Sequence, residues 1–398
     1  MKTSIENNKL TICLDGRIDT NNAVQTEKEV FDAIGNSGCE EIILDAEKLE
    51  YISSAGLRVL LKVRKTKDKP IPIINVSRDV YDIFETTGFT ELLDVRKALR
   101  KVSVEGCEMI GSGGYGKVYR IDPETIVKVY APNITLDFVE RERTISKKAF
   151  LMGIPTAISY DVVKCGDSYG VIYELLDAKT TAQIISEDPS KIPEISGRSA
   201  EMLKQMHTIV PGKDSGLPDK KEDLLEWVDS LSGYITTDEA EKIRNFINSI
   251  PDRDTFLHND YNSKNVMVKD DEFLLIDIGD AAIGHPVFDI AGLMLSYIIL
   301  PASRGGARSD DDLRRLLGFD FQYAQQVWGV MCGTYFGVKT PEEIGAITQK
   351  LMPYCFILMS CHGMRVSGDD PVRKQMITEK CIREKLLPAI ENIPPLDF

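Results

Sequence analysis

Leu257-His258-Asn259-Asp260-Tyr261-Asn262-Ser263-Lys264-Asn265-Val266-Met267-Val268 is followed by the apolar run Phe273-Leu274-Leu275-Ile276 and then by Asp277-Ile278-Gly279. The spacing is His-x-Asp-x4-Asn, with a second Asp at the far end of the next apolar run. Val266–Val268 and Phe273–Ile276 flank a polar turn, as the strands of a short hairpin do. Phosphoryl transfer from ATP requires this set of groups. One carboxylate orients the attacking hydroxyl, while an amide oxygen and a second carboxylate hold Mg²⁺ against the phosphates. Asp260 fits the first role, and Asn265 and Asp277 fit the second. A lone His-x-Asp is ordinarily a loop with a turn-capping Asp, so the reading depends on a glycine loop and a lysine upstream.

Both are present. Ile110-Gly111-Ser112-Gly113-Gly114-Tyr115-Gly116-Lys117-Val118-Tyr119 places glycines at the first, third and sixth positions and Val at the eighth. Gly111, Gly113 and Gly116 would let backbone close over phosphates without side chains in the way. A Rossmann loop shares the glycine spacing but opens a helix. This one leads into a strand, Lys117–Ile121, and an Asp122-Pro123 turn. Ile126-Val127-Lys128-Val129-Tyr130 then buries one lysine in an apolar strand, which is costly without an anionic partner. Phosphates and a helix glutamate would supply one. Glu142 is our assignment for that glutamate and Glu140 is the alternative, because helical phase does not separate them. Strands are expected at Tyr160–Val163 and Gly170–Tyr173. Glu174-Leu175-Leu176 would follow as a hinge whose backbone binds adenine, with Glu174 and Leu176 as the contacts. Helices are expected at Pro193–His207, Lys221–Leu231 and Thr237–Ser249, and through the tail from Arg308 to Phe398, notably Gln325–Phe336 and Ile344–Met359.

These signals occur in one order, and residues 104–398 resemble the protein-kinase-like superfamily. The run Leu275-Ile276-Asp277-Ile278-Gly279…Gly284-His285-Pro286-Val287-Phe288-Asp289-Ile290-Ala291 is most similar to its aminoglycoside phosphotransferase and choline kinase branch. That resemblance implies a bilobal α+β fold, with a small β-rich lobe over about 104–176 and a large helical lobe over about 177–398. It also implies ATP and Mg²⁺ as cofactors, and Asp289 as a brace for the catalytic loop. Two departures from protein kinases stand out. Asn259 replaces the arginine that reads a phosphorylated activation loop. Only twelve positions separate Asp277 from Asp289, with no Ala-Pro-Glu between them. Little room is left for a peptide platform, which favours a small-molecule acceptor over a protein.

The first hundred residues read differently. Leu10–Leu14, Glu41–Leu44 and Ile71–Asn75 look like strands, the last with Pro72 suited to an edge or a strand start. Helical periodicity runs through Ala23, Val24, Val30, Phe31 and Ile34 to about Gly35. It resumes at Ser53-Ser54-Ala55-Gly56 with Leu57, Leu60 and Leu61, and again through Val80, Ile83 and Phe84 to Gly88. A fourth helix is expected from Thr90 through Leu92, Leu93, Val95 and Leu99. Alternating strands and helices imply a small α/β domain. The stretches Gly16-Arg17-Ile18-Asp19, Ile42-Ile43-Leu44-Asp45 and Tyr51-Ile52-Ser53-Ser54-Ala55-Gly56-Leu57-Arg58-Val59-Leu60-Leu61 resemble a STAS domain, the fold of bacterial anti-sigma factor antagonists, over residues 1–103. In that family a serine at the start of the second helix is phosphorylated by a partner anti-sigma kinase. That position is Ser54 here. Many members carry Asp where this chain has Ser53, and Asp19 matches a family acidic position. A phosphate there would meet free backbone N–H groups and the positive end of a helix dipole. The alternative role for Ser53 or Ser54 is a helix N-cap.

Composition sets limits. The chain of 398 residues is long enough for two or three cores. Its net charge is −14, of which −2 falls in residues 1–100 (15 Lys+Arg against 17 Asp+Glu). Such acidity argues against nucleic acid or an anionic membrane as partner. It is compatible with a cationic acceptor, with Asp310–Asp312, Glu226 and Asp229 as candidate lining residues or as a solvated face. The polar start is no signal peptide, and the apolar run near Ile290–Ala302 is too short to span a bilayer. The eight cysteines are scattered without a Cys-x-x-Cys pair, which suits reduced thiols in the cytoplasm. The expected function is thus an ATP- and Mg²⁺-dependent phosphotransferase for a small hydroxylated acceptor, coupled to a STAS module. The rival is an anti-sigma antagonist-type signalling protein whose kinase-like part senses nucleotide or phosphorylates a protein.

Overall fold

Alternation in Lys9–Ile18 turns Leu10, Ile12, Leu14 and Ile18 to one buried face, and this strand (β2) founds the first sheet. In the computed structural model, which describes residues 1–6, 8–66, 71–303, 308–391 and 396, the chain forms two compact units, Met1–Ser103 and Val104–Phe398. In the first unit β1 (Lys2–Glu6) pairs antiparallel with β2, and β3 (Glu41–Ile52) pairs parallel on its other side. β4 (Pro72–Val76) and β5 (Asp94–Lys97) continue the sheet in parallel, in the order β1-β2-β3-β4-β5. Helices α1 (Ala23–Ser37), α2 (Ser54–Arg64) and α3 (Arg78–Thr86) make the crossovers that parallel strands require. Their stripes, including Val30, Leu57, Leu60, Val63, Val80 and Phe84, share one core with the strands. Pro72 stands at the first position of an inner strand, where its missing N–H is tolerated.

The fourth helix is not formed. Phe89–Glu91 make a single 3-10 turn after Gly88, whose φ is 72°, and Asp94–Lys97 become β5. The spacing of Leu92, Val95 and Leu99 fits a helix, but Val95 instead pairs with Ile73 at the open edge of the sheet. Tertiary pairing overrides local periodicity there. β1 escaped sequence reading because Lys2–Glu6 is exposed throughout and has no apolar alternation.

α2 starts where β2 and β3 end. A Cβ at Gly56 would fall 2.7 Å from side-chain atoms of Ile18 and Ile52 and 2.9 Å from the Ile18 carbonyl oxygen, so only glycine fits. Ser53 Oγ accepts hydrogen bonds from the Ala55 and Gly56 amides at 3.2 and 3.5 Å, which makes Ser53 the N-cap. Ser54 is then the first helical residue, and it is exposed.

The second unit opens with an antiparallel sheet. Its strands lie in the order Ser159–Cys165, Ser168–Glu174, Thr125–Tyr130, Gly116–Arg120 and Glu108–Ser112. α4 (Leu136–Leu151), capped by Thr135, packs against it through Val139. The remainder is largely helical, with helices at Ile192–Met206, Lys220–Ser230, Thr237–Ser249, Ala324–Phe336 and Pro341–Val366 around one large core. Pro341–Val366 is long and apolar enough to cross a membrane by length and composition alone. Here Leu351, Tyr354, Cys355, Ile357 and Cys361 bury one side of it in that core. The predicted helical tail ends in 392–395 and 397–398, which lie outside the described residues. Two short pairings carry the site. Val266–Lys269 and Glu272–Leu275 form a hairpin, turned by Asp270 and Asp271 at φ of 47° and 65°. Thr255–Leu257 pairs antiparallel with Ala282–Gly284.

Candidate active site

The turn at 258–265 cannot hold itself, since it leaves the Thr255–Leu257 strand with backbone N–H groups facing inward. A buried carboxylate meets them. Asp289, 2 % exposed on the helix Val287–Met294, accepts from the His258 amide at 2.9 Å and from the Asn259 amide at 2.7 Å. His207 Nε2 lies 3.1 Å from the same carboxylate, and its Nδ1 is 2.7 Å from the Tyr335 hydroxyl. Burial alone would raise the Asp289 pKa. Donation from His207, with the fields of His207 and His258 and the His258 amide, holds it below the ordinary carboxylate value instead.

His258 is itself fully buried and works as a strut. Its Nδ1 accepts from the Asp260 amide at 3.3 Å, and its Nε2 donates to the Ile276 carbonyl at 3.2 Å. That pair of bonds selects the Nε2–H tautomer. The Ile276 amide in turn donates to the Asn265 carbonyl at 3.0 Å. The residue before Asp277 is therefore gripped from both sides by the turn that carries Asp260. Asp277 follows at φ 56°, ψ 47°, a left-handed conformation that Asp tolerates better than most residues.

Asp260 and Asn265 meet directly: Asn265 Nδ2 donates to Asp260 Oδ2 at 2.8 Å and to its carbonyl at 2.9 Å. Asn262 Nδ2 reaches Asp260 Oδ1 at 3.2 Å. Solvent touches the Asp260 carboxylate although protein crowds it. This crowding, together with the negative charges of Asp277 and Asp280, pushes its pKa up against the pull of His258 and Asn265. With its amide group spent on Asp260, Asn265 has Oδ1 left as a ligand.

Lys128 joins the two lobes of the site. Its Nζ is 2.7 Å from Glu142 Oε1 and 2.6 Å from Asp277 Oδ1. Burial opposes its charge, but the Asp277 and Glu142 carboxylates outweigh burial and raise its pKa. The glutamate that meets Lys128 is thus Glu142, which is 7 % exposed. Glu142 has a raised pKa, burial outweighing Lys128. Gly279 makes this possible. A Cβ there would lie 1.9 Å from Glu142 Cγ, so the third residue of Asp277-Ile278-Gly279 is small to let the glutamate pass.

The glycine loop joins the strands Glu108–Ser112 and Gly116–Arg120, closed by the Gly113 amide on the Gly116 carbonyl at 2.9 Å. Space beside Gly113 and Gly114 is open, and Gly111 has only ordinary contact with Val118. Gly116 has another reason to be glycine: a Cβ would sit 2.1 Å from the Val129 carbonyl oxygen of the next strand. Tyr115 at the tip has a raised pKa, first from burial and then from the charges of Asp280, Glu142 and Asp277, so the tip faces the carboxylates. At the predicted hinge, Glu174 donates to the Ile158 carbonyl and Leu175 to the Glu124 carbonyl. Among the described residues the Leu176 amide has no protein acceptor.

Three features escaped sequence reading. The His207 brace is 82 residues from Asp289, and no spacing signals it. The His258–Ile276 strut and the Gly279–Glu142 contact are also invisible without coordinates. The acidic candidates Asp310–Asp312 and Asp229 are engaged locally. Asp312 completes a capping box with Ser309, Asp311 pairs with Arg314, and Asp229 pairs with Arg244.

The model of the phosphotransferase enzyme family, APH, matches residues 107–326, more than half of the chain, and the chain belongs to that family. Its first 102 residues match the STAS domain, so a STAS domain precedes a kinase-like fold. Over 89 residues the chain is 35% identical to BtrV, a proposed anti-sigma factor antagonist of Bordetella bronchiseptica, covering 22% of this chain and 76% of that one. Among solved structures, a choline/ethanolamine kinase family protein from Mesorhizobium loti is 14% identical, with a TM-score of 0.44 over 71% of this chain and 92% of that one. The ADP-bound aminoglycoside phosphotransferase APH(2'')-Ib is 16% identical, with a TM-score of 0.46 over 78% and 98%.

Two outcomes test this geometry. Because the Asp289 pKa is depressed on folding, its stabilisation is full above the unfolded value, roughly pH 3.9, and is lost as pH falls through the folded value. Asp289→Asn should cost about 3 kcal/mol at neutral pH and flatten the acid limb of a stability–pH profile measured by urea unfolding. Gly279→Ala should displace Glu142 at a cost of about 1–3 kcal/mol. An unchanged unfolding midpoint for Gly279→Ala would refute the contact.

Proposed function

We propose that this chain is an ATP- and Mg²⁺-dependent phosphotransferase that transfers the terminal phosphoryl group to a hydroxyl of a small acceptor, with the STAS unit as a signalling module. One observation carries the reading: Lys128, Glu142 and Asp277 converge at one point, and the hairpin that ends in Asp277 also presents the hydrogen-bonded pair Asp260 and Asn265. Gly111, Gly113 and Gly116 form the loop over the phosphates. The Glu174 carbonyl and the Leu176 amide would be the contacts for adenine. Drawn to the phosphates, Lys128 gives up Asp277 and keeps Glu142, which frees the Asp277 carboxylate.

The donors fit Mg²⁺. Asn265 Oδ1 and the Asp277 carboxylate are hard oxygen ligands, and the negative charges of Asp277 and Asp280 add to burial in raising the Asp260 pKa. Mg²⁺ is ordinarily held by one or two protein groups and substrate phosphates rather than by a dedicated cage. Bound there, Mg²⁺ supplies positive charge against the phosphates. Asp260 accepts a hydrogen bond from the acceptor hydroxyl and takes its proton as the phosphoryl group arrives, helped by its raised pKa. ATP as substrate supports a cytoplasmic setting.

In the first unit, exposed Ser54 at the start of α2 is our regulatory phosphosite, with an anti-sigma-like protein or its kinase as partner. Ser53 supplies the cap, so Ser54 Oγ is not needed for one.

MgATP should raise the melting temperature of the chain, as any ligand of the native state does. Lys128→Ala and Asp277→Asn should reduce that rise. Asp260→Asn should keep it while lowering turnover by about 100-fold or more. Loss of nucleotide binding in Asp260→Asn but not in Asp277→Asn would reverse the roles. For the first unit, Ser54→Asp should change stability by less than about 0.5 kcal/mol, because the helix start favours negative charge. It should nevertheless alter capture of an anti-sigma partner. Equal capture by Ser54→Ala and Ser54→Asp, with no phosphate on Ser54 in peptide maps after ATP and cell extract, would leave Ser54 without a regulatory role.

A further inference from the structure

Beside the Asp260 turn the charge changes sign. Asn259 Nδ2 donates to the Asp280 carbonyl at 3.1 Å, and two residues later Ala282–Gly284 forms the strand that pairs with Thr255–Leu257. The helix Lys220–Ser230 starts against that strand. The Ile283 amide donates to the Pro218 carbonyl at 2.8 Å, and a Cβ on Gly284 would lie 3.1 Å from Lys220 Cβ. Lys220 is 6 % exposed and sits at the first position of its helix, the end where the dipole disfavours a cation. Its Nζ is 3.6 Å from Asp223 Oδ2, and Arg365 reaches Asp223 Oδ1 at 2.6 Å. One carboxylate thus serves two cations. Arg308 and Arg373 add charge on the same side, close enough, with Arg365, to hold His362 below the ordinary histidine range. Burial is the larger cause there, and Asp280 opposes both. Asp280 therefore has Asp260 and Tyr115 within reach of its charge on one side, and His362 and Arg365 on the other.

We propose that the acceptor carries an anionic group, a carboxylate or a phosphate monoester, bound by Arg365 and Arg308 with Lys220 behind them, while its hydroxyl meets Asp260. This rests on the phosphotransferase reading above. It reverses the expectation from net charge, of whose acidic candidates Asp311, Asp312 and Asp229 are spent on a local cap and ion pairs. A guanidinium meets either anion through paired N–H donors. A buried lysine that shares its counter-ion with Arg365 is stabilised by a second negative charge.

The test uses the full chain with Mg²⁺ and ADP, followed by thermal shift. Hydroxy acids and sugar phosphates are titrated beside matched neutral polyols and amino alcohols. Anionic probes should add to the nucleotide shift, and neutral or cationic ones should not. A response to hydroxy acids alone identifies the carboxylate, and one to sugar phosphates alone identifies the phosphate. Arg365→Gln and Arg308→Gln should each weaken that binding by about tenfold and leave the MgADP shift intact. No shift with any anion, a stronger shift with amino alcohols, or anion binding undiminished in both variants would overturn the assignment. A missing MgADP shift in the parent chain would instead overturn the phosphotransferase reading.

Discussion

A carboxylate with no access to water must be satisfied by protein donors, and Asp289 imposes that condition on everything near it. Two backbone amides of the 258–265 turn and the ring of His207 meet the demand. Because two of the donors are backbone groups, the constraint on the 258–265 turn falls on the path of the chain. Asp260 and Asn265 inherit their positions from that path. His258 carries the constraint onward to Ile276, and so to Asp277. The pairing of Asp260 with Asp277 is thus a consequence of one buried charge and one tautomer.

Lys128 is the second fixed point. It lies between a buried glutamate and a solvent-reached aspartate, 15 % against 8 % and 48 % side-chain exposure. The deeper partner is expensive to leave, because Glu142 would stay buried and unpaired. The outer partner is cheaper to leave, because water can take its place. This asymmetry gives the lysine one deep contact and one contact that water reaches. Gly279 protects the deep contact through shape alone, by leaving room for the Glu142 side chain.

The residues proposed to bear the chemistry stood out in the sequence because phosphoryl transfer would fix both type and spacing. His258, Asp260, Asn265 and Asp277 sit within one turn and one hairpin, where order along the chain becomes order in space. Glu142 against Glu140 was not decidable, since the choice depends on which face of α4 meets Lys128. The strand at Asp94–Lys97 was read as a helix because its apolar spacing satisfies both periods, and only the vacant edge beside Ile73 decides between them. His207 and Tyr335 were beyond reach for a simpler reason. They come from helices far apart in sequence, and their contacts exist only once the core has assembled.

Charge was the least transferable quantity. A net of −14 describes the far field of the chain, yet salt screens exposed charges beyond about 8 Å at physiological ionic strength. A bound acceptor therefore responds to its immediate neighbours. Many of the carboxylates that make this chain acidic cap helices or pair locally, as Asp312 does with Ser309 and Asp229 with Arg244. Their charge is largely cancelled at short range while it still counts in the total. Lys220 and Arg365 differ in sharing a single aspartate, so their surplus survives at the distance a ligand would sense. On the proposed reading, the acceptor's anionic group would meet the local surplus at Lys220 and Arg365, whatever the sum over the chain.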